Sequence, residues 1–156
     1  MKSRHFVTDS TGPSTQVAAL CWRKHRDRVE VLLITSRDTG RWVLPKGWPM
    51  AGRSAPEAAA VEAWQEAGVT GLVSPDPLGF FGYDKVITPD IAHPCMVSVF
   101  ALRVAALSRR FPERKERRRK WFSAEKAARK VQEPELRALL IALDKGSVRL
   151  PSKAKD

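Results

Sequence analysis

Apolar residues come in short runs along this chain, separated by charged or turn-forming residues. Residues 16–22 (QVAALCW) and 29–35 (VEVLLIT) are two such runs, and their length predicts buried strands. The charged segment between them, RKHRDR, predicts a hairpin turn. A short third strand is expected at 41–44 (RWVL), then a Pro- and Gly-rich loop at 45–53 (PKGWPMAGR). Further strands are expected at 70–73, 78–83, 95–104 and 120–122, with a loop at 86–94.

Helical periodicity starts after Ser54. Ser54 and Glu57 form the S-x-x-E pattern of a capping box, and Pro56 falls in the first turn, where a missing N–H is tolerated. An Ala-rich stretch runs to Ala67, and Gly68 supplies the stop. Ser123 opens a second helix. Glu133-Pro134-Glu135 opens a third, with Leu136, Leu139, Leu140 and Leu143 on one stripe. Strands and helices mix without regular alternation, which predicts an α+β fold or a sheet sandwiched by helices.

Length and composition narrow this picture. A chain of 156 residues suggests one domain, long enough for a core without staples. We place that domain at 15–146, between a polar tail at 1–14 and another at 147–156. No apolar run approaches the roughly 18 to 20 residues that span a membrane, so no membrane partner is expected. The first residues carry a Lys and an Arg but no apolar stretch after them, which argues against a secretory signal and makes the cytoplasm the expected location. Cys21 and Cys95 lie in apolar runs without ligand-like spacing and read as core residues of a reducing compartment. His5, His25 and His93 are scattered and also show no ligand spacing.

Charge changes the picture more. Lys and Arg number 28 against 17 Asp and Glu, a net charge of +11 that attracts polyanions. The densest stretch, 109–120, has eight basic and two acidic residues. It reads equally as a solvated basic loop or as an Arg-rich rim for phosphate groups.

The helix after Ser54 carries the candidate chemistry. On a helical wheel Ala60, Ala63, Trp64 and Ala67 fall on one side, the expected core face. Ala58, Glu62, Gln65, Glu66 and Val69 fall on the other. Glu62 and Glu66 are one turn apart, and two converging carboxylates suit a hard divalent cation such as Mg²⁺. By themselves they describe a solvated acidic face more often than a metal site. The segment PKGWPMAGRSAPEAAAVEAWQEAGV decides between these readings, because it resembles the Nudix box, G-x(5)-E-x(7)-R-E-U-x-E-E-x-G-U, where U is aliphatic. Gly47, Glu62, Ala63, Glu66, Gly68 and Val69 fit that pattern. LITSRDTGRWVLPKGW, YDKV, RRKWFSAEKAARKV and EPELRALL extend the likeness over about 16–143, toward bacterial relatives of the diphosphoinositol polyphosphate phosphohydrolases.

The resemblance implies an α/β/α sandwich around a mixed sheet. It implies Mg²⁺, or Mn²⁺, on Glu62, Glu66 and the Lys46 carbonyl, and hydrolysis of a diphosphate linkage. The expected partner is an anionic polyphosphorylated small molecule, such as a diphosphoinositol polyphosphate or a dinucleoside polyphosphate. Ser36 and Arg37 fall where the subgroup contacts phosphates, and Lys85 is expected in a loop that faces the site. Three box positions depart from the pattern: Arg53 stands for a Glu, Val61 for the Arg that orients the glutamates, and Gln65 for the Glu proposed as general base. A neutral amide cannot accept a proton near pH 7, and loss of a general base typically costs about 10² to 10⁴ in rate. Glu116 is a candidate replacement. These departures leave a weakened hydrolase as the first expectation, and a non-catalytic sensor of a polyphosphate or nucleotide as the alternative. Nucleic acid is not an expected partner, because aromatic-rich RNA motifs are absent.

Overall fold

The run at 16–22 is buried at every position because its strand is covered on both faces. In the computed structural model, which describes residues 12–151, this strand is β1 (Ser14–His25). It is followed by β2 (Arg28–Thr35), β3 (Trp42–Val43), β4 (Lys46–Gly47), α1 (Ala55–Ala67) and β5 (Val69–Val73). Next come β6 (Gly79–Thr88), β7 (Ile91–Leu107), β8 (Arg119–Ser123), α2 (Ala124–Lys130) and α3 (Pro134–Lys145).

All eight strands join one sheet with a path β3-β2-β1-β7-β5; β4 adds to β1, β6 to β7 and β8 to β2. β1 and β7 run parallel from Ser14↔Cys95 to Trp22↔Arg103. Every other pairing is antiparallel, so the sheet is mixed. Successive side chains of a strand point to opposite faces. Val17, Ala19 and Cys21 therefore pack with Ala59, Ala63 and Ala67 of α1. Ala18, Leu20 and Trp22 pack with Ala127 of α2 and Leu136 and Leu140 of α3. The expected α/β/α sandwich is what the chain forms.

Local chemistry accounts for the element ends. The β1–β2 hairpin closes on Arg26 and Asp27 alone, at φ 54° and 64°. Two left-handed residues make the tight turn whose twist matches its strands. The capping box at Ser54 and Glu57 forms in both directions, and Gly68 closes α1 at φ 69° with its N–H on Ala63 and Trp64 carbonyls.

Four expectations change. Residues 86–94 are not a loop: β6 continues to Thr88 and β7 begins at Ile91, with only a turn at 89–90 between them. Val86 and Ile87 are 71% and 53% exposed, so no buried face marked this extension in the sequence. The 45–53 loop contains the short strand β4. Trp64 is half-buried and lies in neither core cluster, whereas Ala58 and Glu66, placed on the outer side, are buried. The outer side of α1 is itself covered, by β4 and by the loop 108–118. Finally, β1 starts inside the expected 1–14 tail; residues 1–11 and 152–156 of the two tails lie outside the described residues.

Candidate active site

α1 and β4 bring the two glutamates together. Glu66 is buried, and its Oε1 accepts the Lys46 backbone N–H at 3.2 Å. Gly47 is the next residue of β4, and a Cβ there would collide with the Glu62 carboxylate. Glycine at 47 thus gives clearance for the carboxylate rather than an unusual φ. The two carboxyl groups are hydrogen-bonded to each other. Burial is the main cause that pushes the Glu66 carboxyl up to about 8; Glu62 adds to the rise, while Arg117 and the Lys46 N–H oppose it. Glu62 is raised as well, again mainly by burial. Two neighbouring carboxylates oppose each other's ionisation, which adds to the effect of burial.

The pair lies on a cleft of about 480 Å³. Its lining also includes Ser36, Arg37, Arg41, Lys46, Lys85, Glu113 and Arg117. Lys46 turns its amino group over the Tyr83 ring at 4.8 Å, and burial lowers its pKa, with Glu66 and Glu133 opposing. Tyr83 donates to Gln16 at 2.7 Å, which fixes that wall. Arg41 lies 3.6 Å from the buried Glu133, and its Nη1 is buried without a hydrogen-bond partner.

Of the residues singled out in the sequence, Ser36, Arg37, Lys46, Glu62, Glu66 and Lys85 all line this cleft. Lys85 does so from strand β6, paired with His93, not from a loop. Gln65 does not line it; its side chain is exposed and only its carbonyl is engaged, by the Glu113 N–H at 3.0 Å. Glu116 also lies outside the lining, held by Arg37 at 3.0 Å. Trp48 borders the cleft and is 44% exposed. Sequence reasoning misses Glu113, Arg117 and Arg41. The first two belong to a basic stretch in which no local pattern separates them from their exposed neighbours.

The donor set suits a divalent ion that keeps water. Among the described residues no group of three or more His, Cys, Asp or Glu is arranged to hold a metal. Glu62 and Glu66 offer two carboxylates on the cleft. Mg²⁺ usually binds through one or two carboxylates plus water and substrate phosphates. The residues fit it on those terms.

This arrangement coincides with a family match. The NUDIX domain matches residues 14–143, and the chain belongs to that family. It is 33% identical to mouse diphosphoinositol polyphosphate phosphohydrolase 3-alpha over 127 residues, covering 80% of this chain and 73% of that protein. With Nudix hydrolase 13, mitochondrial, of Arabidopsis thaliana it shares 32% over 127 residues, 78% of this chain and 60% of the relative. Against Nudix hydrolases 12 and 13 of that plant, the chain spans only 51% and 60% of their length. Among solved structures, the C. elegans Ap4A hydrolase superposes with a TM-score of 0.61 at 19% identity, over 87% of this chain and 99% of that one. The NUDIX domain of Shewanella oneidensis NrtR, complexed with ADP ribose, gives 0.65 at 11% identity, over 95% and 99%. These two likenesses concern the fold.

Proposed function

We propose that this chain hydrolyses a P–O–P linkage in a polyphosphorylated small molecule, with Mg²⁺ or Mn²⁺ held by Glu62 and Glu66. The observation that carries this reading is a carboxylate pair in the same cleft as Arg37, Arg41, Lys46 and Lys85. A cleft with both charges suits a cation and a polyanion together. Diphosphoinositol polyphosphates and dinucleoside polyphosphates are the substrates of choice, as the names of relatives suggest.

Bound there, Mg²⁺ would offset the charge of the diphosphate under attack. The chain's own groups do the rest. Arg37 and Lys85 grip phosphate oxygens, and the Lys46 side chain adds a positive charge beside Glu66. The Lys46 carbonyl, next to Gly47, stays a candidate third ligand. Water attacks one phosphorus, the bridging P–O bond breaks, and the water proton passes to a carboxylate. Glu113 lines the cleft beside the Glu62–Glu66 pair, so we assign it that proton in place of Gln65 or Glu116, which do not line it. Two free, buried cysteines fit a reducing compartment, the cytoplasm in this reading. Some plant relatives are named mitochondrial, and no described helix is long and apolar enough to cross a membrane.

The test is phosphate release from pyrophosphate, a dinucleoside tetraphosphate and an inositol pyrophosphate, with Mg²⁺ or Mn²⁺. Turnover by the natural chain, abolished by Glu66→Ala, supports the proposal. Because the Gln65 side chain is exposed and does not line the cleft, Gln65→Glu should change the rate by less than the roughly 10²-fold a general base is worth. The second reading, a non-catalytic sensor, is favoured by the 2.7 Å ion pair that ties Glu113, the assigned base, to Arg117. Tight binding of a panel member without turnover would establish it instead.

A further inference from the structure

A buried carboxylate pair must be held in one geometry if it is to bind a cation. α1 brings no basic residue into its last turn, and position 61, just before Glu62, is valine. The counter-charge comes from outside the helix. Arg117 Nη2 stands 3.8 Å from Glu66 Oε2, and each of these side chains is only 10% exposed. The guanidinium is fixed at two other points: Nε donates to Glu113 at 2.7 Å, and Nη1 to the Thr35 carbonyl at 3.1 Å. Both anchors are themselves tied. The Glu113 N–H donates to the Gln65 carbonyl at 3.0 Å, and the Arg118 N–H donates to Thr35 Oγ1 at 2.8 Å. Three segments, α1, the end of β2 and the loop 108–118, therefore meet at one arginine.

The geometry points to Arg117 as the positioning residue of the Glu62–Glu66 pair: an arginine supplied by the loop fixes Glu66, and through it Glu62, where α1 supplies no counter-charge. This inference rests on reading Glu62 and Glu66 as cation ligands. The competing account makes Arg117 a bystander. A bystander charge repels an incoming cation, so its removal would tighten cation binding. A positioning charge acts the other way, because its removal lets the ligands move apart. The sign of the change decides between them.

The experiment measures Mn²⁺ binding by calorimetry at one fixed pH, without substrate, for the natural chain, Arg117→Gln and Arg117→Lys. Arg117→Gln should bind Mn²⁺ about 10 to 100-fold more weakly, the usual effect of losing a partner of a metal ligand. Arg117→Lys keeps the charge but loses the fork and should fall between the two. With substrate and metal present, kcat should drop while KM moves little. Unchanged or tighter Mn²⁺ binding by Arg117→Gln overturns the positioning role and leaves the cation site standing. If circular dichroism shows that variant unfolded, Arg117→Lys takes its place: weaker binding supports the role, and unchanged or tighter binding overturns it. No Mn²⁺ binding by the natural chain sinks the cation-site reading first, and this inference with it.

Discussion

Glu66 is buried, and its surroundings push its ionisation in opposite directions. Burial and Glu62 push its carboxyl up, and Arg117 and the Lys46 N–H pull it down; the first pair prevails, at about 8. An unfolded chain would release that proton near 4.5. The folded chain thus binds more protons between those values. The contribution of Glu66 to stability is therefore complete below the lower value and is lost as pH rises through the upper one. Without divalent metal, urea unfolding should show stability falling between about pH 5 and pH 8. Glu66→Gln, which carries no proton to lose, should flatten that decline. A slope that Glu66→Gln leaves intact would place the proton elsewhere. Gln65 shows the same logic reversed. An exposed amide one residue away has none of these constraints, so its identity says less about the chemistry than the box pattern implies.

At the scale of elements, α1 joins two functions that two substitutions should separate. Ser54 caps its N-terminus on the outer side, where Ser54→Ala should cost about 0.5 to 2 kcal/mol and leave activity nearly unchanged. Gly68 closes its other end in the left-handed region, and a Cβ there would strike Phe111 and Arg119. Those residues belong to the segment that carries Glu113 and Arg117, and Arg119 donates to the Ala67 carbonyl at 2.6 Å. Gly68→Ala should therefore lower both thermal stability and kcat, because strain at the cap displaces the loop. Equal loss of activity in both variants would show that helix stability alone governs the site. The sequence showed α1 with its caps, the buried strand pair and the leucine stripe of α3, since each is set by neighbours along the chain. It put Glu62 and Glu66 one turn apart on α1 for the same reason, but not the burial of Glu66. Arg117 and Glu113 were hidden because their partners, Glu66 and Gln65, are distant in sequence and a run of arginines gives no sign of which one turns inward. The β6–β7 hairpin was hidden because its outer half is exposed and lacks alternation.

For the whole molecule, the net charge of +11 is not a uniform field aimed at a ligand. Part of the 109–120 stretch is consumed by the fold: Arg117 and Arg119 serve α1, and Arg118 lies over the Trp42 ring at 5.5 Å. Arg37 is exposed, pairs with Glu116 and still lines the cleft, so it is open to exchange with a phosphate. Ligand attraction then has two ranges. Groups such as Lys46 act at contact from a half-buried position, while exposed cations act over a distance that salt shortens to about 10 Å at 0.1 M. A small substrate uses mostly the first range, and a substrate with many phosphates uses both. Raising salt should therefore increase KM for an inositol pyrophosphate far more than KM for pyrophosphate, while kcat for either changes little. Steady-state kinetics across a salt series, at constant free Mg²⁺, would measure this. Parallel rises for the two substrates would mean that the outer charges serve solubility alone, and that the cleft by itself sets the preference for phosphate-rich ligands.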